Sequence, residues 1–429
     1  MKTKVIVRAP ALTRTGYGEH SRFVLRALRQ MEDKLDIYLI PVNWGQSNWI
    51  WEDNEEREWL DAIVKKTSHY QSQGGQYDVS VQVTIPNEWQ PVAPVNIGVT
   101  AGIETTKVAP VWLEKANFMN KVVTISQFSK EIFEKTVYEG YDKNTGQPMV
   151  LKCETPIEVV HYPVKEYENL NLEIDLESKF NFLTVAQWGP RKNVGNTLSW
   201  FIEEFYDNPD VGLVVKTFLK GGSKMDRKEV KKQISKIVGH PDYKDKKCKI
   251  YLLHGDFSDE EMHSLYKQPN INAFISLSHG EGFGLPHFEA AYSALPVIAP
   301  EWSGYLDFLC MPTEVGSGRR RRSKVTPHFV PVAYDLAPIQ PEVAWEGVIE
   351  KDAMWAYAQQ GSYKMKLREV YKNYNKHKQN AIKLQSWINK EFSSEKQHNK
   401  MLDALGIKEM VSDFDVDSWL DDLDVQVTE

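Results

Sequence analysis

The chain has 429 residues, 41% hydrophobic and 26% charged, with a formal net charge of −7. That length suits two domains with sizeable cores, and the acidic balance excludes an overall basic field drawing the molecule onto nucleic acid or a membrane, though not a local patch. Cys153, Cys248 and Cys310 form no C-x-x-C pair, which excludes a disulfide framework or zinc site and favours reduced thiols in a cytoplasmic protein.

The start, "MKTKVIVRAP", has too short an apolar part for a signal peptide and reads as a first strand. No later apolar run is long enough to span a bilayer. "EHSRFVLRALRQM" has helical spacing, and "LDIYLIPVN", "YDVSVQVTI" and "PVNIGVT" read as strands. "KVVTISQFSKEIFEKTVYEG" reads as strand, turn and helix, and "IEVVHYP" as the last strand of this half. Such alternation predicts a parallel sheet covered on both faces.

After a polar linker, "VKEYENLNLEIDLESK", the pattern restarts with five strands: "FNFLTVAQW", "VGLVVKTF", "KIYLLHG", "NAFISLS" and "LPVIAPE". The sequence therefore predicts an α/β chain of two Rossmann-like domains, residues 1–168 and 169–390. Beyond Asp352 it reads as helical and basic, and residues 391–429 as a helix end and an acidic tail.

The most informative stretch is "HGEGFGLPHFEA", His279 to Ala290. It reads as a tight loop between the strand "NAFISLS" and a helix, with Pro286 in the first turn, where its missing N–H costs nothing. A helix N-terminus behind glycines offers N–H groups to a phosphate. It is neither a P-loop nor the dinucleotide fingerprint, because no Gly-Lys-Ser/Thr follows and His287 replaces the third small residue. Bare carboxylates repel phosphate but accept paired hydrogen bonds from vicinal hydroxyls. Glu289 is thus placed to hold a ribose diol, and Glu281 to hold a sugar or support its reacting carbon; the plainer alternative is a helix-dipole Glu and a solvated Glu. N–H groups for a pyrophosphate plus carboxylates for two polyols describe a nucleotide sugar.

"SHGEGFGLPHFEAAYSALPVIAPEWSG" resembles the E-x7-E signature of retaining GT-B glycosyltransferases, a group that includes glycogen-synthase-like and sucrose-synthase-like enzymes. "TRTGYGEHSRFVLRAL", "FLTVAQWGPRKNVGNTLSWFIEEF" and "LLHGDFSDEEMHSLYKQPNINAFISLS" resemble further blocks of that family in the same order. The resemblance implies a GT-B fold and sugar transfer from a nucleoside diphosphate, most simply UDP, with retention of configuration and no cofactor or bound metal. It places Gly16, Tyr17, Gly18, Arg191, Lys192, Lys216, Gly282, Phe283, Gly284, Leu285 and Glu289 on the donor, and Glu281 and Glu104 in catalysis. Arg191 and Lys192 are adjacent, where the family separates its Arg and Lys by several residues. Glu104 also reads as a helix cap or surface residue.

Trp44 and Trp49, in "NWGQSNWIWEDNEE", offer aromatic faces to an acceptor or ordinary packing. Arg319, Arg320, Arg321 and Arg322, in "GSGRRRRSK", read as a phosphate contact or a solvated insertion. The acceptor is accordingly open: a carbohydrate or protein hydroxyl, or a hydroxymethylated base in DNA, as in viral DNA-modifying transferases acting in the host cytoplasm. A non-catalytic sugar-nucleotide binder and an epimerase on the same fold are the other readings. The tail, with Phe414, Trp419 and Leu420 among aspartates, reads as a docking peptide for a protein partner or as a solubilising tail.

Overall fold

The computed structural model describes residues 2–45, 47–50, 52–141, 146–316 and 322–410. The arginines at 319–321 and the tail 411–429 lie outside the described residues. The first sheet consists of β1 (Thr3–Ala9), β2 (Leu35–Pro41), β3 (Val79–Val83), β4 (Val95–Thr100), β5 (Lys121–Thr124) and β6 (Ile157–Val159), all parallel, in the order β2-β1-β3-β4-β5-β6. The second consists of β7 (Phe180–Gln187), β8 (Val211–Phe218), β9 (Lys249–Leu253), β10 (Ile271–Ile275), β11 (Val297–Pro300) and β12 (Val330–Val332), also parallel, in the order β9-β8-β7-β10-β11-β12.

Their composition explains their place. β3 is buried at every position and β8 at all but its last, so neither face can carry the polar alternation of a half-solvated strand. In each sheet the strand order reverses once, between β1 and β3 and between β7 and β10. Loops leaving the carboxyl ends of strands at such a reversal diverge and open a crevice.

Loops at the carboxyl ends of the two sheets meet. A Cβ on Gly280, after β10, would come within 2.0 Å of the Glu104 carbonyl oxygen, after β4, and one on Gly282 within 2.4 Å of that of Ala101. Ser126 Oγ donates to the Gly282 carbonyl at 2.6 Å. Asp307, from the second half, accepts from the Gln127 amide at 2.7 Å, at the first turn of the helix Gln127–Lys135. The chain crosses back at its end: the helix Tyr374–Glu391 holds the Tyr292 carbonyl through Gln385, and the helix Ser394–Ala404 lies on Gly16–Arg29, with Gln30 bonded to His398 at 2.9 Å.

Three local readings are corrected. The helix read through Gly140 ends at Lys135, and Tyr138–Tyr141 pairs with Pro148–Leu151 as a hairpin; Thr136, Val137 and Tyr138 are strand formers. Beyond Asp352 the chain first forms the strand Met354–Ala358, paired with Tyr334–Pro338, and turns helical only at Gln360. The second sheet has six strands rather than five: β12 is three residues long, too short for a periodic signal. Among the described residues no helix is long and apolar enough to cross a membrane.

Gly280→Ala should force the two halves apart. We expect a larger radius of gyration by small-angle scattering with unchanged far-ultraviolet circular dichroism. An unchanged scattering curve would show that the contact is not limiting.

Candidate active site

Arg191 and Lys192 follow β7 in a single 3-10 turn, Pro190–Lys192, that ends on Asn193 in the left-handed region. Glu281 follows β10, on the other side of the strand reversal. Its backbone is pinned by Ser303, whose hydroxyl accepts from the Glu281 amide at 2.6 Å, and by the Gly304 amide, which donates to the Glu281 carbonyl at 3.0 Å. The topology therefore delivers two cations and one carboxylate to one point.

The side chains meet there. Glu281 is buried; its carboxylate takes Arg191 Nη1 at 2.9 Å and Lys192 Nζ at 2.5 Å. Glu104, from the first half, takes Arg191 Nη2 at 3.0 Å. The result is a chain Glu104–Arg191–Glu281–Lys192 across the cleft. Burial alone would raise the Glu281 pKa, but Lys192 and Arg191 hold it well below the usual carboxylate range. Burial outweighs Arg191 at Glu104 and raises that pKa. Burial, together with neighbouring Arg191, lowers that of Lys192 despite Glu281.

The glycine loop contributes backbone. Gly284 sits at φ 90°, the left-handed conformation that starts the helix Leu285–Tyr292. Phe283 points into the core against Phe308 and Tyr162, so only its backbone borders the cleft, and Leu285 is half-buried. Opposite, the helix Gly16–Arg29 starts at Thr15, whose hydroxyl accepts from the Gly18 amide at 3.0 Å. Gly18 has no room for a side chain, because a Cβ would lie 2.0 Å from the Thr13 carbonyl oxygen, whereas Gly16 faces open space. Tyr17 bonds Thr100 at 2.8 Å and rests on Trp44, 4.2 Å between ring centroids; burial pushes its phenol well above the usual range. Trp49 is exposed nearby, bridged to Thr13.

Two further residues read from the sequence as donor contacts have partners other than the cationic pair. Lys216, at the end of β8, donates to the Gly255 carbonyl at 2.6 Å and covers the Phe257 ring; burial pulls its pKa down to about 8. Glu289 lines a separate small cavity with Lys165, Tyr167, Asp259 and His263. Burial pushes its pKa up to about 7.

Sequence reasoning missed the partners that close the site. Arg14 Nη2 reaches across the cleft to the Phe257 carbonyl at 2.9 Å. Lys165 pairs with Glu19 at 2.8 Å and Asp259 at 3.3 Å, beside Glu289. Arg14 stands in the first glycine block, which was a signal; Lys165 lies in a linker with none. His279 bonds the Ala356 carbonyl and stacks on Trp355, and His287 is buried between Tyr305 and Phe274.

No protein-family model matches the chain. Over 118 residues, 28% of its length, it is 35% identical to the serotype-specific mannosyltransferase WbdA of Escherichia coli, of which the match spans 13%. Among solved structures it is similar to the sucrose-phosphate synthase of Thermosynechococcus elongatus (TM-score 0.61, 11% identity, covering 96% of this chain and 100% of that one). It is also similar to Anabaena HepE in complex with UDP and glucose (0.56, 11%, 94% and 100%) and to a glycosyltransferase of Rickettsia africae (0.57, 12%, 96% and 99%). At these identities the likeness is one of fold, and the expected GT-B arrangement of two Rossmann-like domains is the one found.

Glu281→Ala should destabilise the protein by about 3–5 kcal/mol at neutral pH, because it leaves two cations without their buried partner. A depressed carboxylate pKa stabilises above the unfolded value and fails as pH falls, so the deficit should shrink in acid, measured by denaturant unfolding at pH 7 and pH 4. Glu289 has the opposite sign: a raised pKa favours the protonated fold, and the penalty grows as pH rises from the ordinary carboxyl range and levels off above about 7. Glu289→Gln should therefore raise Tm at pH 8 and leave it nearly unchanged at pH 5; equal shifts at both pH values would contradict the burial of this group.

Proposed function

We propose that this chain transfers a sugar from a nucleoside diphosphate to an acceptor hydroxyl, with retention of anomeric configuration. The observation that carries the reading is the meeting of Arg191, Lys192 and Glu281, at the strand reversal of the second sheet, with Glu104 from the loop after β4 of the first. When the bond between the anomeric carbon and the diphosphate oxygen breaks, negative charge grows on the leaving phosphate, and two pre-placed cations stabilise it. The backbone of the two glycine loops, Gly16–Gly18 and Gly282–Gly284, lies against the same phosphates, with the Gly18 amide kept by the Thr15 cap. Glu281, released from the cations, serves the sugar; Glu289 serves the ribose diol; Lys216 adds positive charge at the donor. Glu104 lies on the acceptor side, with Trp44 and Trp49 offering ring faces. Residues 1–168 act as the acceptor-side domain and residues 169–390 as the donor domain, in the cytoplasm.

The UDP and glucose held by HepE and the mannosyl transfer named for WbdA support a sugar nucleotide, with UDP the first choice. Retention rests on the E-x7-E spacing of Glu281 and Glu289. A more specific acceptor, a hydroxymethylated base in DNA, is favoured by the antiparallel pair Cys310–Val315 and Arg322–Pro327, which presents exposed Arg322 and Lys324, and by the arginines at 319–321 that precede them in sequence.

A thermal-shift screen of nucleotide sugars should show stabilisation by one donor. Mass spectrometry and anomeric proton NMR of the product should then show one added sugar of unchanged configuration, with activity indifferent to EDTA. Arg191→Ala with Lys192→Ala should lower turnover at least a hundredfold. Donor binding without transfer would mark a non-catalytic binder, and nucleotide release without acceptor an epimerase or hydrolase. Transfer to hydroxymethylated duplex DNA, falling steeply with salt and with Arg319–Arg322 changed to Ser, would select the DNA acceptor; salt-insensitive transfer to a carbohydrate would reject it.

A further inference from the structure

A groove of 730 Å³ lies on the outer edge of the second sheet, away from the cleft, between the helix Lys224–Val238 and β9. Its floor is apolar: Ile234 and Val238 from the helix, Ile250 and Leu252 from the strand. Its rim is basic, since Lys224, Arg227, Lys228 and Lys231 recur at one helical face and are exposed. Among the described residues none of these four has a carboxylate within ion-pair distance, whereas Lys232, one residue on, pairs with Glu229. β9 is the last strand of its sheet and has a neighbour on one side only.

A basic rim over an apolar floor fits an acidic segment with apolar anchors, and not a bare phosphate backbone, which would leave the floor wet. Residues 411–429 are such a segment. They carry Asp413, Asp415, Asp417, Asp421, Asp422, Asp424 and Glu429, no Lys or Arg, and the apolar side chains Phe414, Val416, Trp419 and Leu420. We propose that this segment docks in the groove, with its aromatic anchors on Ile234, Val238, Ile250 and Leu252 and its aspartates against the four cations. The segment follows Met410, whose short helix succeeds the helix lying on the first domain. Docking from a neighbouring copy would therefore link molecules, and docking within one chain would strap the two domains together.

The test is site-specific photocrosslinking in the full chain, with benzoylphenylalanine at position 419. Crosslinks to peptides spanning 224–239 or 249–253 are expected, and their yield should fall at least tenfold in the variant Lys224→Glu, Arg227→Glu, Lys228→Glu and Lys231→Glu. All four positions are exposed, so this variant should keep the wild-type melting temperature. Dilution separates the sources: a crosslinked dimer that fades means a second copy, and an undiminished monomer crosslink means the same chain; both support the proposal. Crosslinks confined elsewhere, no crosslink, or a yield unchanged by charge reversal would overturn it. So would a gel shift of duplex DNA that disappears in the charge-reversed variant while the crosslinks stay unchanged, which would assign the groove to nucleic acid.

Discussion

Arg191 is held between two carboxylates from opposite halves of the molecule, Glu104 at 3.0 Å and Glu281 at 2.9 Å. A guanidinium is planar, always charged and forked, so it can bridge two carboxylates where a lysine would point at one. The charge balance of the cleft follows from this. Two cations and two carboxylates cancel, which makes their burial tolerable, and Gly280 and Gly282 let the backbones come close enough for the bridge to form.

The same balance bears on the proposed anionic ligand. A diphosphate entering the cleft would offer Arg191 and Lys192 new partners and release Glu281 and Glu104 for hydroxyl groups. Carboxylates beside a glycine loop thereby have a physical role: Glu281 balances the charge of the two cations that the proposed function assigns to the diphosphate. Glu289 belongs to a different environment. Its small cavity, shared with Lys165 and Asp259 and linked to Glu19 of the first domain, ties the second glutamate to the contact between the two halves.

Much of this was legible in the residues. Long apolar runs such as "VGLVVKTF" announce buried parallel strands because both of their faces need cover. The glycine block around Glu281 announces a strand–loop–helix joint because each glycine has a steric reason to be there. What stayed hidden is of two kinds. Three-residue strands such as β12 and the hairpin Tyr334–Pro338 with Met354–Ala358 owe their form to tertiary pairing, not to local period. Contacts between distant segments, Arg14 on Phe257 or Lys165 beside Glu289, depend on how two domains close, which no local pattern encodes. Glu104 was legible only by its place after β4; its ion pair to Arg191 needed the fold.

The central proposal is that Arg191 is the anion seat and that Glu104 and Glu281 balance its charge until a ligand takes their place. The most direct measurement is calorimetric titration of UDP into the wild type, Glu104→Gln and Arg191→Ala. Glu104 competes for the guanidinium, so Glu104→Gln should bind UDP severalfold more tightly than the wild type, while Arg191→Ala should bind at least tenfold more weakly. Weaker binding by Glu104→Gln, or wild-type affinity in Arg191→Ala, would contradict the account.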